Sequence, residues 1–123
     1  MTWYILDENN NPVPAEILAA ARWFEDNRNN GKRIVARTEV ESGVFSHQLA
    51  VLSTVFLVLD HSFIPDKVLL YESLWFGGPL DGEMRRYSTR EEAQAGHNEM
   101  LAYFRQKCSV QIDAWPPNCR SKP

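Results

Sequence analysis

Imidazole and carboxylate side chains are the first places to look for proton transfer or metal binding near neutral pH. His61 follows Asp60 at the end of one apolar run, Glu72 lies within the next, and His97 falls on the apolar side of a later helical pattern. If that strand and helix pack together, Asp60, His61, Glu72 and His97 converge as the carboxylate–histidine set of a small hydrolase or metal-dependent enzyme. The spacing does not require convergence. HExxH, HxH and paired-cysteine zinc patterns are missing, and a single histidine on an apolar helix face is more commonly a core residue hydrogen-bonded to a neighbour. No catalytic residue, metal ligand or cofactor is therefore assigned, and the enzyme reading stays second. His47 offers still less.

Arginines give the stronger pattern. Arg85, Arg86, Tyr87 and Arg90 place three guanidiniums and a ring just before a helix N-terminus, where backbone amides and the helix dipole already favour anions. That arrangement suits a phosphate-bearing ligand. The competing reading is a solvated cluster paired with Asp81, Glu83, Glu91 and Glu92. Trp75 and Phe76 precede the breaker-rich stretch Gly77-Gly78-Pro79-Leu80-Asp81-Gly82, and of the four tryptophans Trp75 is the one expected at a binding surface. Nucleotide-binding and hydrolase signatures, GxGxxG, GxxxxGK[ST] and GxSxG, are missing. Cys108 and Cys119 are read as free thiols, since no secretory leader is apparent.

Composition narrows the field. With 123 residues, 44% hydrophobic and 24% charged, the chain has the profile of one globular domain that needs neither metal nor disulfide to fold. Thirteen basic against 16 acidic residues leave a net charge of -3, against non-specific nucleic-acid binding. No apolar stretch is long enough to span a bilayer, so a cytoplasmic protein without a membrane partner is expected.

Periodicity supplies the elements. Trp3 to Leu6 reads as an edge strand and Asp7 to Pro12 as a turn. A helix is expected from Pro14 to Asp26, burying Ile17, Leu18, Ala21 and Phe24 and closed near Gly31. Residues 32–40 alternate as a half-buried strand, and Glu41-Ser42-Gly43 connects it to a run from Val44 to Leu59. Within it Val51 to Leu59 is apolar on both alternating faces, which implies a central strand covered by a helix on one side and by the other helix or a second subunit on the other. Residues 60–66 read as a loop and Lys67 to Phe76 as a fourth strand. A capping box at Ser88 and Glu91 starts a helix that runs to Lys107. The fold class is α+β: one domain over 1–107, an antiparallel sheet of about four strands with two helices packed on it, and an irregular tail over 108–123.

Three segments together, Ser53 to His61, Leu70 to Gly78 and Arg86 to His97, resemble a family of small proteins encoded by bacteriophages and prophages. The resemblance implies a phage-derived accessory protein in a bacterial host. With the missing catalytic motifs and the arginine–aromatic cluster, the expected function is non-enzymatic binding: an anti-defence factor that sequesters a host protein or a small phosphorylated or nucleotide signal near Trp75, Phe76, Arg85, Arg86 and Arg90. A structural or regulatory dimeric phage protein is the third reading, and a homodimer is plausible.

Overall fold

The computed structural model describes residues 2–42, 48–62 and 67–108. They form, in order, β1 (Trp3–Leu6), β2 (Pro12–Ala15), α1 (Ile17–Asp26), β3 (Ile34–Ser42), β4 (Gln48–Phe56), β5 (Tyr71–Phe76), β6 (Met84–Tyr87) and α2 (Arg90–Cys108). The class is α+β as expected: an antiparallel sheet in the order β3-β4-β5-β6, a two-stranded ribbon β1-β2, and two helices. His47, Trp115, Cys119, the ends of the 41–43 connection and 60–66 loop, and the tail after Cys108 lie outside the described residues.

Membership of the sheet differs from the sequence expectation. Trp3–Leu6 pairs with Pro12–Ala15, and touches the main body where Tyr4 N–H donates to the Val58 carbonyl at 2.7 Å. Pro14 sits opposite Tyr4 in this ribbon, so the helix begins at Ile17 rather than Pro14. Proline can occupy a ribbon's outer edge because no ladder amide is needed there. The fourth place in the main sheet belongs to β6, whose Arg85 and Arg86 disguise a strand as a charged loop. Strand β5 begins at Tyr71, later than Lys67, and α2 continues through Cys108.

Along β4 and β5 the alternation is clean. Ala50, Leu52, Thr54 and Phe56, with Tyr71, Ser73 and Trp75, are buried on one face, against α2 and α1. Helix α2 answers with Ala93, Gly96, His97, Met100, Leu101 and Phe104, the three- and four-residue spacing of one helical stripe. Trp75 stacks on Phe104 with ring centroids 4.9 Å apart, and Trp23 meets Phe56 edge-on at 5.7 Å. Helix α1 turns Ala20, Trp23 and Phe24 inward; Ile17 and Leu18, expected in its buried face, are 58% and 80% exposed. Moving the helix start past Pro14 leaves them on its first turn, outside that contact.

The start of α2 lies one residue beyond the expected box. Thr89 rather than Ser88 is the cap: its Oγ1 accepts from Glu92 N–H at 3.1 Å, and Glu92 Oε1 accepts from the amides of Ser88 and Thr89 at 3.2 and 3.1 Å. The glycine-rich stretch after β5 turns a corner, with Gly77 N–H donating to Asp81 Oδ1 at 2.6 Å and Gly77, Gly78 and Gly82 all at positive φ.

Gly96 is required by close approach: a Cβ there would overlap the Tyr87 ring. Alanine is ordinarily the better helix former by about 1 kcal/mol. Here Gly96→Ala is expected to destabilise by about 1–3 kcal/mol, because Tyr87 must leave its place on the sheet. Chemical denaturation compares the two chains directly.

Candidate functional site

Two polar arrangements are built into this fold, one closed and one open. The closed one lies between α2 and the sheet. His97 Nδ1 is 2.7 Å from Thr54 Oγ1 and its Nε2 is 2.9 Å from Thr38 Oγ1. Thr54 Oγ1 is 2.5 Å from Ser73 Oγ, which accepts from the Tyr87 hydroxyl at 3.0 Å. A neutral imidazole has one donor and one acceptor nitrogen. Running the protons from Tyr87 to Ser73, to Thr54, to His97 Nδ1, and from Nε2 to Thr38 gives each of those protons an acceptor. Burial lowers the pKa of His97, consistent with the neutral ring this requires. Thr54, Ser73 and His97 are at most 2% exposed, so the chain of hydroxyls is part of the core rather than a place for substrate.

The open arrangement is a cleft of about 310 Å³ at the N-terminus of α2. The β1–β2 turn forms one wall. Asp7 Oδ1 accepts from the amides of Asn9 and Asn11 at 2.8 and 2.9 Å, and Asn10 takes a positive φ of 63°. This Asx-type bonding fixes a tight turn and leaves Asn9, Asn10 and Asn11 lining the cleft. The opposite wall is Ser88, Thr89, Arg90 and Glu91, and the floor includes Tyr71. The Tyr71 hydroxyl and Arg90 Nη1 are both buried without a hydrogen-bond partner in the protein. Such atoms cost about 1–3 kcal/mol each when nothing satisfies them. Burial raises the Tyr71 phenol above its ordinary pKa, with Glu91 adding to the effect and Arg90 opposing it. The phenol is therefore a donor at neutral pH. Arg90 and the helix end give the cleft a positive potential, with the buried Tyr71 hydroxyl beneath it.

The residues expected to bind together are divided by the sheet. Trp75 is 1% exposed in the core, which corrects its expected place at a binding surface. Phe76, the next residue, points to the opposite face and is 52% exposed. Arg85 lies on the α2 side, paired with Glu99 at 3.1 Å and placed over the Tyr87 ring. Arg86 faces the other way and binds Glu72 at 3.0 Å. Only Arg90 reaches the cleft. The ion-pair partners are Glu72 and Glu99, distant in sequence, instead of the local acids considered from the sequence.

The carboxylate–histidine set does not assemble either. Glu72 and His97 are on opposite faces of the sheet. Asp60 Oδ1 accepts from the amides of Ser62 and Leu69 at 2.9 Å, closing its own loop. His61 lines a separate, mostly apolar hollow of about 410 Å³ beside Trp3, Phe24 and Arg33. Among the described residues, no three His, Cys, Asp or Glu are placed to hold a metal ion. Likewise, no described helix is long and apolar enough to cross a membrane. Tyr71 and the three asparagines escape a sequence reading because only the pairing of β1 with β2 and the seating of α2 bring them together.

No protein-family model, curated protein or solved structure matches the chain.

The lowered pKa of His97 sets a pH dependence with a definite sign. The unfolded chain takes up the proton near pH 6.5, whereas the native ring does so only at lower pH. Its stabilising contribution is complete above that value and declines as pH falls below it, by at most about 1.4 kcal/mol per pH unit. Denaturation at pH 7.5 and 5.0 should show a larger loss for the natural chain than for His97→Gln.

Proposed function

We propose that this chain is a non-enzymatic binding protein that takes a small phosphorylated or carboxylate-bearing molecule into the cleft between the β1–β2 turn and α2. One observation carries the reading: Tyr71 and Arg90, each with a buried donor atom that has no protein partner, both line one cleft at a helix N-terminus. An oxyanion supplies the acceptors that both donors lack, and a guanidinium bonds such oxygens about twice as strongly as a neutral donor does. The volume lies at the lower end of ligand pockets, which favours a compact ligand of the size of a nucleoside monophosphate.

Binding is favoured over catalysis by the lining. Among the described residues it contains no histidine, cysteine or lysine, and the Thr89 hydroxyl is engaged in the helix cap. In the setting that the phage-like segments imply, sequestering a phosphorylated host signal is the anti-defence role such a protein would serve.

Isothermal titration with inorganic phosphate, a nucleoside monophosphate and citrate tests the reading. At least one should bind, and Arg90→Ala should weaken it tenfold or more, a loss of about 1.4 kcal/mol or greater. Tyr71→Phe should weaken binding while raising the stability of the ligand-free protein by about 1 kcal/mol, because it removes an unsatisfied buried donor. Arg86→Ala, on the other face, should leave affinity unchanged. Absence of binding by all three, or a Tyr71→Phe variant that loses stability, would contradict the proposal.

A further inference from the structure

The hollow of about 410 Å³ beside His61 lies where β1, α1 and the ends of β3 and β4 come together. Its floor is Leu57, Val58 and Leu59, the chain that leaves β4. Backbone pairing ties that floor down on both sides. Tyr4 N–H donates to the Val58 carbonyl and Asp60 N–H to that of Thr2, while Leu57 N–H donates to the Leu70 carbonyl. With these peptide groups paired, the floor offers mainly aliphatic side chains. Trp3 of β1 and Ala20, Ala21 and Phe24 of α1 form the walls, and Arg33 and His61 are the ionisable side chains of the lining. A volume of this size, an apolar lining and a few polar groups are the ordinary features of a small-molecule site.

Arg33 gives the hollow its selectivity. Its Nε donates to the Phe56 carbonyl at 3.2 Å, and its guanidinium carbon lies 4.6 Å from the centre of the Phe24 ring. These contacts hold the guanidinium against the lining and use neither Nη group. Arg28, Arg37, Arg85 and Arg86 each pair with a glutamate. Among the described residues no carboxylate pairs with Arg33, and neither of its Nη groups has a hydrogen-bond partner. Burial also lowers its pKa, because the charged form loses water there. With Nε engaged, the two Nη groups remain as a fork that matches both oxygens of one carboxylate. A single negative charge balances a single guanidinium, whereas a phosphate dianion would leave excess charge against apolar walls.

We propose that this hollow is a second binding site, for a small acid with an apolar body and one carboxylate. The body lies on Leu57, Leu59, Trp3 and Phe24, and the carboxylate meets the Nη groups of Arg33. No residue lines both this hollow and the cleft at α2, so the two sites select different molecules independently.

Isothermal titration of the full chain with butyrate, octanoate and 1-octanol tests the assignment. Octanoate should bind at least tenfold more tightly than butyrate, since each methylene taken out of water adds about fourfold. It should also bind at least tenfold more tightly than 1-octanol, which has the same body without the charge. Arg33→Met keeps an apolar stem and should bring octanoate and 1-octanol within about twofold of each other. Ala21→Trp, at an exposed position of α1, should fill the mouth and abolish binding of both with an unchanged far-ultraviolet spectrum. Arg90→Ala should leave octanoate binding unaltered. No binding of octanoate at millimolar concentration overturns the proposal, as does equal affinity for octanoate and 1-octanol in the natural chain. Binding that survives Ala21→Trp, or that is lost in Arg90→Ala, overturns it by placing the acid elsewhere. Failure of phosphate or a nucleoside monophosphate to bind the cleft would leave these expectations unchanged.

Discussion

The hydrogen bond between His97 Nδ1 and Thr54 Oγ1 is the contact that decides where α2 sits. Thr54 and Ser73 stand on the buried face of the sheet, where an apolar helix would leave their hydroxyls without enough partners. His97 supplies the missing acceptor and, through its second nitrogen, reaches Thr38. Hydrophobic packing alone tolerates sliding and rotation of a helix on a sheet; a directional bond at 2.7 Å does not. Once His97 is fixed, so is the rest of the stripe, and Gly96 must be bare for Tyr87 to pass and bond Ser73. Arg90 lies two turns before His97 on the same side of the helix, so the same clasp sets it in the cleft that Tyr71 also lines.

Much of this architecture was legible in the chain, and the misreadings have physical causes. The alternation in β4 and β5 and the stripe of α2 follow from periods of two and 3.6, which composition does not obscure. Trp3 to Leu6 was legible as a strand but not its partner, because Pro12 and Pro14 argue against a ladder unless the outer edge is free. Strand β6 was hidden because Arg85 and Arg86 look solvated, although each finds an acid from a different element. The displaced cap shows how Ser88 and Thr89 compete for one role, which Glu92 settles in favour of Thr89.

The candidate site was legible only in part. Arg90 was singled out beside a helix N-terminus, and the structure gives it a cleft; Arg85 and Arg86 looked equivalent and are separated by strand alternation. Trp75 and Phe76 divide for the same reason, one residue placing a ring in the core and the next placing one in the open. No local pattern announces that Tyr71 will bury a hydroxyl beside three asparagines from the first turn. That juxtaposition is tertiary. The cleft and the open sheet face lie on opposite sides of β5, with Tyr71 on the buried face and Phe76 on the open one. Two buried donors without protein partners lower stability, and the proposed binding role gives a reason for keeping them.

Titration of isotopically labelled protein with a nucleoside monophosphate, followed through the Arg90 guanidinium and the side-chain amides of Asn9, Asn10 and Asn11, tests the oxyanion cleft most directly. Saturable shifts at Arg90 and these asparagines, with Arg85 and Arg86 unmoved, are the expected result. Shifts confined to Arg85 and Arg86, or none at millimolar ligand, would contradict it.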